Sequence, residues 1–252
     1  MDRSGQKGAG LAARAFRVDV DLEHARSEGE RVAGLLAALR RRHDLSRYEY
    51  TRIVRIVPGG DTFANPVLTL GNRFADSEDT LLSTYLHEQM HWYLWYLGTP
   101  ERDAAAPVID DLVRRYPDAP ITPPEGARGY EATYTHLLVN WLEIAATAEF
   151  IGRKRAIAIA DTQWGYRWIY RTVLKDWDAL GELYERHNIV PIRTVAELRV
   201  DSDKAARRRG GNGNGSSRAL NGGPRKNGEA EAPTPPPRSR RRLRVRGGRS
   251  AG

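Results

Sequence analysis

The chain has 252 residues and a formal net charge of +8, enough length for one good-sized domain or two small ones. It contains no cysteine, which excludes disulfides and thiolate ligands, so any transition metal must be held by His, Asp or Glu. It also lacks a run of about 18 apolar residues and the apolar core of a signal peptide. We therefore expect a cytoplasmic protein without a membrane span.

The positive charge is concentrated at the C-terminal end. Residues 201–252 contain 14 Lys and Arg against 4 Asp and Glu, which leaves 26 basic and 28 acidic residues in 1–200. This segment is rich in Arg, Gly and Pro and has almost nothing apolar to bury, so it is predicted to be a disordered basic tail. Such a tail either binds nucleic acid or another anionic surface non-specifically, or is merely a soluble extension. Residues 1–14, small and polar, are also predicted to be disordered.

Residues 15–200 are predicted to form one domain. Alternating apolar residues predict strands at 16–22, 47–57 and 66–74. Helical spacing predicts helices at 27–42, 76–97, 101–116, 130–151 and 162–187. Early strands followed by several helices indicate the α+β class, with a small N-terminal sheet packed on a mainly helical body.

The predicted helix at 76–97 contains the most informative stretch, LHEQMHWYL at 86–94. It starts at a good N-cap, Asp76 or Ser77, and is apolar around most of its circumference, so we expect it to be buried. His87 and His91 lie four residues apart, on one face, where both imidazoles can reach a common point. Glu88 lies about 100° round the axis, beside that point. The alternative is a core helix whose polar side chains hydrogen-bond to their neighbours.

The string from His87 to His91 is HExxH, which resembles the active-site motif of the zincin metallopeptidases. The resemblance implies a zincin-like domain in which the two histidines bind Zn²⁺. It also implies that Glu88 is the general base that takes a proton from metal-activated water, and that the substrate is a peptide or protein.

A catalytic zinc needs a third protein ligand. The helix predicted at 130–151 is apolar except for one polar stripe, formed by His136, Asn140, Glu143 and Thr147. Glu143 is the first choice for the third ligand, and the site then resembles the gluzincins, in which a downstream helix supplies a glutamate. His136 is either the third ligand itself, in a three-histidine site, or a hydrogen-bond donor to the oxyanion. Asn140 would orient a ligand, unless the whole stripe faces solvent.

The sequence therefore predicts a zinc-dependent hydrolase, specifically a metallopeptidase. Two alternatives belong to other functional classes. One is a nucleic-acid-associated binding protein that acts through its basic tail. The other is a zincin-like domain that binds metal without catalysis.

Overall fold

The computed structural model describes residues 15–20, 26–73, 75, 77–98 and 105–201. The predicted disordered N-terminus and the basic tail after residue 201 lie outside these residues. The elements in chain order are β1 (Arg17–Val20), α1 (Arg26–Arg42), a 3₁₀ turn (Leu45–Tyr48), β2 (Ile53–Ile56), β3 (Leu68–Leu70), α2 (Glu78–Leu97), α3 (Ala106–Arg115), α4 (Tyr130–Ile151), α5 (Arg153–Asp161), α6 (Arg167–Lys175) and α7 (Trp177–Arg186). Residues 195–201 are also helical. The predicted α+β class is confirmed, with a mainly helical body and a small N-terminal sheet.

The sheet has the strand order β1-β2-β3, and both pairs are parallel. Helix α1 connects β1 to β2, as a parallel pair requires a crossover. Strand β2 is shorter than the strand predicted at 47–57, because the side chains of two tyrosines, Tyr48 and Tyr50, are buried in the core before β2 begins. The Tyr48 hydroxyl donates to Glu149 at 2.5 Å, and the Tyr50 hydroxyl donates to the Arg193 carbonyl at 2.7 Å.

Helix α2 is buried on most sides, between the sheet and α4. Its N-cap is Ser77, whose hydroxyl accepts from the Thr80 amide at 3.1 Å. Gln89, fully buried, bonds the backbone of Thr51 twice, accepting from its amide at 3.0 Å and donating to its carbonyl at 2.9 Å. These bonds fix the axial position of α2 relative to the segment that leads into β2. They also fix the positions of His87 and His91, which lie on either side of Gln89.

Helix α4 matches its predicted bounds and packs against α2, α3, α5 and α6. The sequence prediction missed α5, which follows α4 directly after Gly152, a residue with a φ of 83°. It also predicted a single helix at 162–187, where the structure has two helices separated at Asp176. In the part of the chain that the structure describes, no helix has the length and apolar character needed to span a bilayer.

Candidate metal centre

Three histidine side chains meet between α2 and α4. The ring centroids of His87 and His91 are 5.1 Å apart, and His136 lies 5.3 Å from the first and 5.1 Å from the second. One ring nitrogen from each histidine lies within 4.8 Å of the other two. Tetrahedral zinc with bonds of about 2.0–2.1 Å places its ligand nitrogens about 3.4 Å apart. The three ring nitrogens would therefore need to lie closer than their 4.8 Å limit to share one ion.

Two of the three imidazoles are oriented by hydrogen bonds through Nδ1. The His87 Nδ1 lies 2.9 Å from Glu143 Oε2, and the His136 Nδ1 lies 2.6 Å from the Ala132 carbonyl oxygen. Because both partners are acceptors, each Nδ1 carries the proton and donates. When such a ring is neutral, its lone pair is on Nε2, which is the arrangement of a histidine that ligates a metal through Nε2.

The environment favours neutral rings at two of the three positions. Burial and the nearby His87 lower the pKa of His136 to about 3. Burial, with the charges of His87 and His136, also lowers the pKa of His91. For His87, burial lowers the pKa, but the hydrogen bond to Glu143 and the charges of Glu143 and Glu88 outweigh it and raise the pKa. Neutral His91 and His136 can bind a cation without first losing a proton.

Glu143 lies behind His87 and is not part of the three-histidine cluster. Its side chain is 1% exposed, and three donors surround it. Oε2 accepts from His87 Nδ1 and from the Tyr170 hydroxyl at 2.8 Å, while Oε1 accepts from Ser83 Oγ. The carboxylate that was the first choice for a third ligand is therefore hydrogen-bonded to the His87 ring and is not in the group formed by the three imidazoles.

The spacing along α4 explains why His136 and Glu143 do not reach the same point. Seven residues separate them, which is two helical turns and about 10 Å along the axis. Helix α4 packs on α2 so that His136 faces His87 and His91, whereas Glu143 faces His87 and Ser83. The alternative of a solvent-facing stripe does not hold either, because Asn140, Glu143 and Thr147 are buried.

Glu88 adjoins His87 in α2, and within the part of the chain that the structure describes its side chain has no hydrogen-bond partner. Its side chain is 5% exposed, and no described residue donates to its carboxylate. Burial raises its pKa to about 7, with His87 acting in the opposite direction and Glu143 adding to the increase. Both carboxylate oxygens are thus available to a molecule that enters the site.

Tyr166 is a residue of the site that the sequence analysis did not identify. Its ring centroid lies 4.3 Å from that of His136 and 6.2 Å from that of His87, nearly parallel to the latter. Its φ is 56°, in the left-handed region that non-glycine residues seldom occupy. Strained backbone of this kind is concentrated at functional sites. Nothing in the spacing of the sequence indicates that the residue before α6 reaches α2.

The loop at 117–129 is hydrogen-bonded to the start of α6. The carbonyl of Pro124 accepts from the Arg167 amide at 2.9 Å, and that of Glu125 accepts from the Trp168 amide at 3.1 Å. Gly126 is closely packed, since a Cβ there would lie 1.7 Å from the Pro120 carbonyl oxygen. These contacts hold the backbone next to Tyr166, so the loop helps to place that ring against His136.

Asn140 is fully buried between His136 and Glu143 on α4. We expected it to orient a ligand, but neither its amide nitrogen nor its amide oxygen has a hydrogen-bond partner among the described residues. The hydroxyl of Thr147, the last residue of the stripe, also has no partner within the described ranges. The orienting contacts to the imidazoles come instead from Glu143 and from the Ala132 carbonyl.

Comparison with known proteins finds no family model, no curated protein and no solved structure that matches the chain. The site contains three imidazoles, the Glu88 carboxylate beside them, the Glu143 carboxylate behind the His87 ring, and the Tyr166 ring near two of the imidazoles.

If Glu143 supports His87, replacing it with glutamine should weaken zinc binding without abolishing it. We expect the zinc affinity to fall by about tenfold to a hundredfold, because the neutral amide leaves His87 less basic and less firmly oriented. Competition with a chromophoric chelator measures the change. Glu131→Gln, an exposed position on the same helix, is the matched control. Complete loss of zinc in Glu143→Gln would instead indicate a direct ligand.

Proposed function

We propose that this protein is a zinc-dependent hydrolase and that it cleaves peptide bonds. The observation that carries the proposal is the convergence of His87, His91 and His136 from two helices, with the carboxylate of Glu88 beside them. Three imidazoles with an open fourth position are a known ligand set of catalytic zinc, whereas structural zinc sites are usually closed by cysteine. The proposal that the substrate is a peptide rests on the resemblance of residues 87–91 to the zincin motif.

The residues fit zinc in three respects. The donors are nitrogen atoms, which suit zinc better than the hard cations Mg²⁺ and Ca²⁺. Two of the rings have their Nδ1 protons committed to acceptors, so their Nε2 atoms are available. His91 and His136 are only half-buried, so the cluster is accessible to water and to a substrate.

Bound zinc would lower the pKa of a coordinated water and polarise the scissile carbonyl. Glu88 then has the role of proton carrier. Its carboxylate, which no described residue hydrogen-bonds, accepts the proton of the attacking water and passes it to the leaving nitrogen, which must be protonated as the amide bond breaks. Because Glu88 is one residue from His87, the acceptor and the ligand set are held by the same rigid helix.

In this arrangement His136 acts as a ligand, so the oxyanion that forms on the attacked carbonyl needs another donor. Tyr166 is the candidate, because its ring packs against His136 and lies near His87. Its hydroxyl stays protonated at neutral pH, since burial and the charges of Glu88 and Glu143 raise its pKa, although Arg128 acts in the opposite direction. A protonated phenol can donate a hydrogen bond to developing negative charge.

Removal and return of the metal tests the proposal. We expect the purified 252-residue chain to bind about one zinc ion, the stoichiometry of a single catalytic site. It should cleave casein or a mixed peptide library, lose that activity after treatment with 1,10-phenanthroline, and regain it when zinc is returned. Hydrolysis by the zinc-free chain, or a chain that binds no zinc, would contradict the proposal.

A further inference from the structure

Beyond His91, helix α2 carries an aromatic surface on the side of Glu88. We call it the aromatic shelf and define it by Trp92, Trp95 and Tyr96. Ring centroids lie 5.7 Å apart for the two tryptophans, 4.7 Å for Trp95 and Tyr96, and 6.3 Å for Trp92 and Tyr96. Trp95 is 46% exposed, while the other two rings are half-buried against the core. The shelf is therefore anchored on one side and exposed to solvent on the other.

A second contact ties the shelf to the segment before β3. The Trp92 indole N–H donates to the Ala64 carbonyl at 3.0 Å, and Phe63, the neighbour of Ala64, is 44% exposed. The position of Phe63 is fixed by two backbone hydrogen bonds with Thr69, of 3.0 and 2.8 Å. Rigid aromatic surface that remains exposed in a folded protein commonly marks a place where something binds.

The helical spacing places the shelf next to the reacting groups. Trp92 follows Glu88 by four residues, and Trp95 follows His91 by four. Residues four apart lie on one face, about 6 Å along the axis. An extended peptide advances about 3.3 Å per residue. When the scissile bond of an extended substrate lies at the cluster, a substrate side chain one or two residues from that bond therefore lies over the shelf.

We propose that the aromatic shelf is a specificity site that binds a large apolar side chain of the substrate, aromatic or branched aliphatic, next to the scissile bond. This inference rests on the proposed function, because the position of the substrate is taken from the zinc cluster. Trp95 supplies the exposed surface, and Trp92 and Tyr96 hold it in place. The gain in binding comes from apolar area that is removed from water and from ring contacts.

Peptide binding by the zinc-loaded Glu88→Gln variant tests the shelf, since this variant is expected to bind peptides without cleaving them. The probes are three fluorescein-labelled heptapeptides that differ only in a central Phe, Leu or Ala, and fluorescence anisotropy measures their affinities. We expect the Phe and Leu peptides to bind about tenfold more tightly than the Ala peptide. A second substitution, Trp95→Ala, should remove the preference, and Trp95→Tyr should keep most of it. Val200→Ala, which shortens another exposed apolar side chain, should leave it unchanged.

Equal affinity for the three peptides, no detectable binding, or a preference that survives Trp95→Ala would overturn the inference. The shelf contains no proposed zinc ligand, so the ranking of the peptides should persist in zinc-free protein even if each binds more weakly. A chain that shows the ranking but never binds zinc would refute the proposed function alone. A zinc-loaded, active chain without the ranking would refute the shelf alone.

Discussion

Replacing Glu88 with glutamine should abolish hydrolysis while the zinc content stays that of the wild type. The amide has nearly the same size and can occupy the same place on α2, but it cannot accept a proton at neutral pH. General-base catalysis contributes about 10²–10⁴-fold to the rate, so kcat should fall by about a hundredfold or more. Zinc binding should persist because the three imidazoles, and the acceptors that orient His87 and His136, are untouched. Zinc analysis and a peptidase assay on the same preparation measure both properties.

Glu131→Gln makes the same chemical change at an exposed position on α4 and should have no effect on either property. Full activity in Glu88→Gln would show that Glu88 is not the proton acceptor. A wild-type chain that binds zinc but cleaves neither casein nor a peptide library would favour the alternative of a non-catalytic metal-binding domain. The Glu88 substitution would then change nothing measurable.

Replacing His136 with alanine should remove zinc from the protein. Two histidines on one helix do not suffice for a catalytic zinc site, and Glu143 is held behind His87 by Ser83 and Tyr170. We expect the zinc affinity to fall by about a hundredfold or more, beyond the effect of Glu143→Gln, since a direct ligand is lost rather than a partner of one. The effect should appear in chelator competition and as the loss of zinc during dialysis.

His187→Ala is the matched control for this substitution. His187 lies at the end of α7, where its Nε2 is 2.6 Å from Asp111 Oδ2, and it is not part of the cluster. Its replacement should leave the zinc content unchanged. If His136→Ala kept its zinc and Glu143→Ala lost it, the third ligand would be the glutamate, as in the gluzincin-like arrangement that the sequence first indicated.

The part of the site on α2 could be predicted from sequence because it depends on local geometry. The N-cap at Ser77 and the apolar run after it indicate a buried helix, and four-residue spacing places His87 and His91 on one face. Ser83 could have been identified by the same rule, since it precedes His87 by four residues. The polar stripe on α4 was also predictable, because it depends on the periodicity of a single helix.

The choice between His136 and Glu143 depends on how α2 and α4 pack, which no local pattern specifies. Both residues belong to the same stripe, and only the position of one helix against the other decides which of them faces the histidine pair. Tyr166 and Tyr170 come from a third segment, whose approach depends on a left-handed residue and on the loop before α4. These are tertiary effects. Sequence periodicity therefore indicated His136 and Glu143 as candidates without assigning their roles, and it did not indicate Tyr166.

X-ray absorption spectroscopy at the zinc edge of the zinc-reconstituted 252-residue chain tests the ligand set most directly. We predict four light donor atoms at about 2.0–2.1 Å, of which three give the multiple-scattering pattern of imidazole. The His136→Ala variant, examined at zinc concentrations that fill the weakened site, should give two imidazoles. A wild-type spectrum with only two imidazoles and a carboxylate, or with none, would contradict a centre built from His87, His91 and His136.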